Sequence, residues 1–155
     1  MIEAVELNIT YLQFGVFDPY LIRPFNNWEP RHVAQGFVWR PGSVSYLTLD
    51  DGAVLSVTIK SSPVVQVGRD CIRAIVVPFQ VPSSGLIELA SITESVQVQL
   101  ASGNYALLCE LGCADDKHHW CRLTFTPQLV YEATVLLADN SLLPTYPLLM
   151  EAEAA

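Results

Sequence analysis

The sequence predicts an all-β domain, a two-sheet sandwich of jelly-roll type with about eight or nine strands and one short helix. Three observations predict it. Segments in which apolar and polar residues alternate recur along the chain. Turn signals built on Gly, Pro, Asn and Asp separate them at intervals of roughly ten residues. Only one stretch, near residues 29–36, carries helix start and stop signals.

The elements follow in order. Val5-Glu6-Leu7-Asn8-Ile9-Thr10-Tyr11 alternates and reads as a half-buried strand. Its phase changes at Gln13-Phe14, where a bulge or bend would keep Phe14 and Val16 inward, and Asp18-Pro19 closes it. Pro19, Pro24, Pro30 and Pro41 break up the next stretch. They leave room for a helix from Glu29 to Gln35, with Pro30 in its first turn and Gly36 as its stop. Strands at 43–49 and 53–60 flank Asp50-Asp51-Gly52. An Asp-Gly pair between strand-like runs signals a hairpin, because the turn needs positive φ. The strand at 71–81 is β-branched, and its Pro78 points to an edge or a bulge. A turn at 82–85 leads to a short strand at 86–89. Residues 95–100 alternate cleanly, and Ala101-Ser102-Gly103-Asn104 turns them into a strand at 105–111. A polar loop spans 113–119, and strands at 120–126 and 129–138 are separated by Pro127. Residues 1–139 are expected to form the single domain, and 140–155, with Pro144 and Pro147, a loosely packed tail.

Composition limits the function. A chain of 155 residues, 51% hydrophobic and 15% charged, fits one core-rich domain and excludes disorder. No apolar run approaches the ~20 residues that span a bilayer. Acids stand near the N-terminus where a secretory leader carries Lys or Arg, so a cytoplasmic location is expected. Cys71, Cys109, Cys113 and Cys121 are then expected to be reduced. Eight Lys and Arg against sixteen Asp and Glu give a net charge of −8. Direct nucleic-acid binding needs the opposite sign, whereas an acidic domain attracts basic proteins, including those built to hold DNA. Acidity for solubility alone is the plainer explanation.

Few motifs carry chemistry. Cys113, His118, His119 and Cys121, following Cys109, are zinc-type ligands, but their spacing matches no common zinc pattern, and Cys109 falls in the apolar parity of its strand. Cys113 or Cys121 beside His118 or His119 could also act as a nucleophile and base, although no local signature of a cysteine hydrolase surrounds them. Gly-rich phosphate loops, nucleophile elbows and His-Glu-x-x-His are missing, so neither an enzyme nor a cofactor is expected. Asp50-Asp51 at a hairpin tip and Asp115-Asp116 in a loop could meet Arg or Lys of a partner. Turns also favour Asp for backbone reasons. Trp28, Trp39 and Trp120 could anchor an interface or, in a ligand-binding module, stack on a small molecule or carbohydrate, but such residues are more often core or half-core.

A resemblance bears on these choices. Leu7-Asn8-Ile9-Thr10-Tyr11-Leu12-Gln13-Phe14-Gly15-Val16-Phe17 resembles the opening strand of the competence protein J (ComJ) family. Val77-Pro78-Phe79-Gln80-Val81, Gly85-x-x-Glu88 and Gly103-Asn104-Tyr105-Ala106-Leu107-Leu108-Cys109 resemble it too, as do Trp28 and the segment up to Gly36. The likeness covers about residues 5–112 and fades beyond. It implies a small cytoplasmic inhibitor that binds a DNase, or an immunity-type protein, by covering or mimicking phosphate in a basic cleft. It marks no inhibitory residues, so Asp50, Asp51, Asp115 and Asp116 rest on loop position and charge. A ligand-binding module and a zinc-dependent enzyme are the alternative functions. Exposed sheet edges would also allow a homodimer.

Overall fold

The computed structural model describes residues 2–129 and 132–155. Eleven strands and one short helix occupy them: β1 (Ile2–Asn8), β2 (Gln13–Phe17), α1 (Pro30–Gln35), β3 (Phe37–Arg40), β4 (Ser43–Leu47), β5 (Val54–Ser61), β6 (Arg73–Val81), β7 (Leu86–Ala90), β8 (Ser95–Gln99), β9 (Gly103–Cys113), β10 (His118–Pro127) and β11 (Thr134–Leu137). They form two sheets, ordered β1-β5-β10-β9-β6-β11 and β3-β4-β2-β7-β8. Every neighbouring pair is antiparallel except β5 and β10, which run parallel.

The sandwich core follows from strand alternation. Leu55, Val57 and Ile59 of β5, Leu107, Cys109 and Leu111 of β9, and Cys121, Leu123 and Phe125 of β10 face Phe14, Val16, Phe37, Tyr46, Ile87 and Leu89 of the other sheet in one buried cluster. The second face of the larger sheet is covered in part, where Val65, Val67 and Cys71 pack near Leu108 and Trp120. That is why β9 is buried almost continuously instead of on one face.

The helix forms where its signals place it. Pro30 sits in the first turn, and Gly36 ends the helix at φ 87° with its N–H on the His32 carbonyl. The buried His32 ring accepts the Glu29 N–H at Nδ1, so its Nε2 carries the proton that it donates to the Glu151 carbonyl.

Four expectations need correction. The strand read through Tyr11 to Phe17 is two strands in different sheets, because Tyr11 and Leu12 both take positive φ and reverse the chain. No Asn or Gly announces that turn, so it read as a bulge. Phe37–Arg40 is an added strand that four residues between a helix and Pro41 could not announce. These two differences bring the count to eleven strands. Asp50-Asp51-Gly52 is not a hairpin. Gly52 does take φ 71°, but β4 pairs with β2 and β3 while β5 pairs with β1 and β10. The loop crosses between sheets and bonds instead to β1's exit, Gly52 N–H to Ile9 O at 3.0 Å and Ile9 N–H to Ala53 O at 3.0 Å.

Finally, the segment from Asn140, expected to pack loosely, seats Leu142 and Leu148 in the core. Gln35 Nε2 donates to Leu149 O and Gln35 Oε1 accepts the Leu149 N–H, both at 2.9 Å. Asn26 and Ala154 form an antiparallel bridge. Of the strand expected at 129–138, Thr134–Leu137 forms, and residues 130 and 131 lie outside the described residues. Pro78 sits on β6 past the reach of β11, where its carbonyl accepts Trp39 Nε1–H at 2.7 Å.

Candidate functional site

Strand pairing gathers four connections at one end of the sandwich. β1 ends where β5 begins, with Asn8 opposite Val54. The parallel partner β10 begins at the same level, His118 opposite Val54. Gln13 of β2 lies opposite Leu47 at the end of β4, and Gly15 opposite Ala90 at the end of β7. The connections 9–12, 48–53, 91–94 and 114–117 therefore share one rim. They are tied together by Thr48 N–H to Leu12 O (2.8 Å), Val54 N–H to Lys117 O (3.3 Å) and the Asn8 N–H to the Glu94 carboxylate.

This rim is acidic. Asp50, Asp51, Glu94, Asp115 and Asp116 stand on it, all exposed, against Lys117 alone among Lys and Arg. The four aspartates singled out in the sequence thus come from two loops 60 residues apart and meet because β5 and β10 are parallel neighbours, about 5 Å apart. Glu94, Tyr11 and Leu12 join them without any sequence signal, since only the cross-sheet turn at 9–12 and the pairing of β2 with β7 bring them there.

The carboxylates are partly committed. Asp50 Oδ1 accepts the Asp51 N–H at 2.8 Å. Asp51 Oδ1 accepts the N–H groups of Gly52 (3.0 Å) and Leu12 (3.3 Å). Asp115 Oδ1 accepts from the N–H groups of Lys117 (2.8 Å) and His118 (2.9 Å) and faces His118 Nδ1 at 3.0 Å. The Lys117 N–H and then the His118 ring hold the Asp115 carboxyl below the usual carboxylate range. Asp50 and Asp51 keep their second oxygens for other contacts, whereas Asp115 Oδ2 also faces His118 Nδ1, at 3.1 Å.

The Cys and His candidates do not converge. Successive strand residues face opposite sides, so His118 is exposed and His119 buried. Cys121 lies in the core, its Sγ 3.8 Å from that of Cys109, and burial first and Cys109 second push its thiol well up, the reverse of what a nucleophile needs. Cys113 is exposed beside His119 in the β9–β10 register. Among the described residues no group of three or more His, Cys, Asp or Glu is placed to hold a metal ion. The four cysteines are free thiols.

The tryptophans do not form one platform either. Trp28 donates to Gln13 Oε1 and Trp39 to Pro78 O, while Trp120 lies under the Arg122 guanidinium at 4.5 Å on the outer face of β10. The hollow beside Trp39, lined by Pro78, Phe79, Tyr105 and Leu129, holds about 180 Å³. That is below the ~300 Å³ at which small-molecule sites begin.

The family model of competence protein J matches residues 6–126, most of the chain. The chain belongs to the competence protein J family. The match runs past residue 112, where the sequence resemblance fades, and takes in the 114–117 loop and β10. A curated relative, the DNA-entry nuclease inhibitor of Bacillus subtilis (strain 168), is 26% identical over 105 residues, 67% of this chain and 77% of the relative. The crystal structure of ComJ from Bacillus subtilis, described as an inhibitor of the DNA-degrading activity of NucA, superposes with a TM-score of 0.65 at 22% identity, covering 81% of this chain and 99% of that one. The sandwich is therefore the ComJ fold. β11 and the C-terminal segment lie beyond the family match.

Proposed function

We propose that this chain is a protein inhibitor of a nuclease, binding the enzyme and silencing it without catalysing a reaction. Its membership of the competence protein J family, with a curated relative that inhibits a DNA-entry nuclease, carries the reading. The acidic rim supports a mechanism. A nuclease must present Lys and Arg where it holds phosphate. Carboxylates on short, hydrogen-bonded loops offer those cations an array of negative oxygens. Asp50, Asp51, Asp115 and Asp116 are the residues assigned to that contact, with Glu94 added by its position. The net charge of −8 further steers the chain toward a basic partner and away from DNA itself. An inhibitor that protects its own cell works in the cytoplasm, which is the location this reading assigns to the chain.

The test is a DNA-degradation assay with Bacillus subtilis NucA and with any DNase that the chain captures from its native cell. Stoichiometric loss of activity on adding the chain is expected. Nucleases that stay fully active at saturating chain would overturn the reading.

A further inference from the structure

The turn between β1 and β2 places two successive residues in the left-handed region, Tyr11 at φ 59° and Leu12 at φ 57°. Residues other than Gly, Asn and Asp resist that conformation because Cβ crowds the following carbonyl. Tight turns that need two such residues in a row usually use Asn-Gly. Here an aromatic and a leucine occupy them, and neither serves the core: Tyr11 is 75% exposed and Leu12 39%. The backbone is held from both sides, by Thr48 N–H on the Leu12 carbonyl and by Asp51 Oδ1 on the Leu12 N–H. A cheaper pair would make the same turn, so what Tyr and Leu contribute lies outside the chain. Strain of this kind collects where a protein meets its ligands.

We propose that Tyr11 and Leu12 form the apolar anchor by which the acidic rim docks on the nuclease, with Asp51 a positioning residue that holds the turn outward; this rests on the inhibitor reading above. The occupant follows from charge. The anchor stands among Asp50, Asp51 and Glu94, so the surface that receives it is rich in Lys and Arg, as the rim of a phosphate-holding cleft is. A tyrosine suits such a place, because its ring buries apolar area against the partner while its hydroxyl meets polar groups. The two parts then divide the work: the acids speed encounter, and the anchor slows release.

The experiment uses the full chain with Bacillus subtilis NucA as probe. Tyr11→Gly and Leu12→Gly, singly and together, are compared with the unaltered chain in melting temperature and in inhibition of DNA degradation. Glycine accepts positive φ without strain, so the melting temperature is expected to hold or rise. The inhibition constant is expected to weaken at least about tenfold, mostly through faster dissociation. Tyr11→Phe, which keeps the ring, stays within about threefold of the unaltered chain. Asp51→Ala, which removes the acceptor for the Leu12 N–H, raises the dissociation rate more than Asp51→Asn, which retains that acceptor. Glycine variants that inhibit as well as the unaltered chain overturn the anchor and leave the inhibitor reading standing. Inhibition lost in step with a falling melting temperature assigns the turn to folding and also overturns the anchor. An unaltered chain that leaves the nuclease fully active overturns both.

Discussion

Arg73 is the largest fully buried side chain, at 1% exposure, and its charge is met almost entirely by Asp139. Nε and one Nη donate to the two carboxylate oxygens at 2.8 and 3.0 Å, and the other Nη donates to the Leu47 carbonyl at 2.7 Å. The clamp thus ties β6 of one sheet to the exit of β4 in the other, one residue before the loop that carries Asp50 and Asp51. Asp139→Ala leaves the guanidinium buried with one carbonyl. Uncompensated buried charges of this kind cost about 3–5 kcal/mol. For a chain of 155 residues each kcal/mol moves the melting temperature by about 2–4 °C, so a fall of roughly 6–20 °C is expected by circular dichroism. Arg73→Met with Asp139→Leu removes both charges and should recover most of the loss.

The pH dependence has a definite sign. Burial pushes the Asp139 carboxyl up, but the hydrogen bonds and charge of Arg73 outweigh it and leave the carboxyl below its ordinary value. A depressed folded pKa gives stability that is present above the unfolded value of about 3.9 and is lost as pH falls through the folded one. The gap between the unaltered chain and Asp139→Ala should therefore hold from neutral pH to about pH 4 and narrow below it. A shift in melting temperature under about 2 °C at neutral pH would refute the reasoning, because the segment beyond β11 would then not be packed as described.

Three further outcomes test the site and its setting. Asp50→Asn with Asp51→Asn, or Asp115→Asn with Asp116→Asn, keeps the loop acceptors but removes charge, so surface plasmon resonance should show association with the nuclease slowed severalfold at low salt and converging with the unaltered chain near 1 M salt. Thiol titration with an aromatic disulfide reagent should give one fast-reacting cysteine, Cys113, in the folded chain and four after denaturation, because Cys71, Cys109 and Cys121 are buried. Gly112→Ala should cost about 1–3 kcal/mol in urea unfolding, since a Cβ there would lie 2.2 Å from the Trp120 ring that packs on it.

The periodicity at β5, β8 and β9 was legible because each has at least one solvated face or a clean apolar parity, and residue 36 was legible as the helix stop because glycine alone suits φ 87° there. The turn at Tyr11-Leu12 was not legible, because its residues are held in place by Thr48 and Asp51, which lie 36 and 39 or more positions away. Asp50-Asp51-Gly52 shows the complementary failure. The dipeptide states that the chain turns, but it does not state which strand edge is free to receive the next strand.

The sequence by itself determined the class of fold, the sign of the surface and the family. Alternation, turn residues and an excess of acids are local or summed properties that survive without knowing any long-range contact. Only the tertiary structure decided where those acids meet. A parallel β5–β10 pair and two crossings between the sheets bring loops from residues 9–12, 48–53, 91–94 and 114–117 to one rim. They also send His118 and His119 to opposite faces of one strand, and bury Arg73 against an aspartate 66 residues away. Such pairings depend on which edges and faces remain unfilled when the whole core closes, and no window of sequence contains that information.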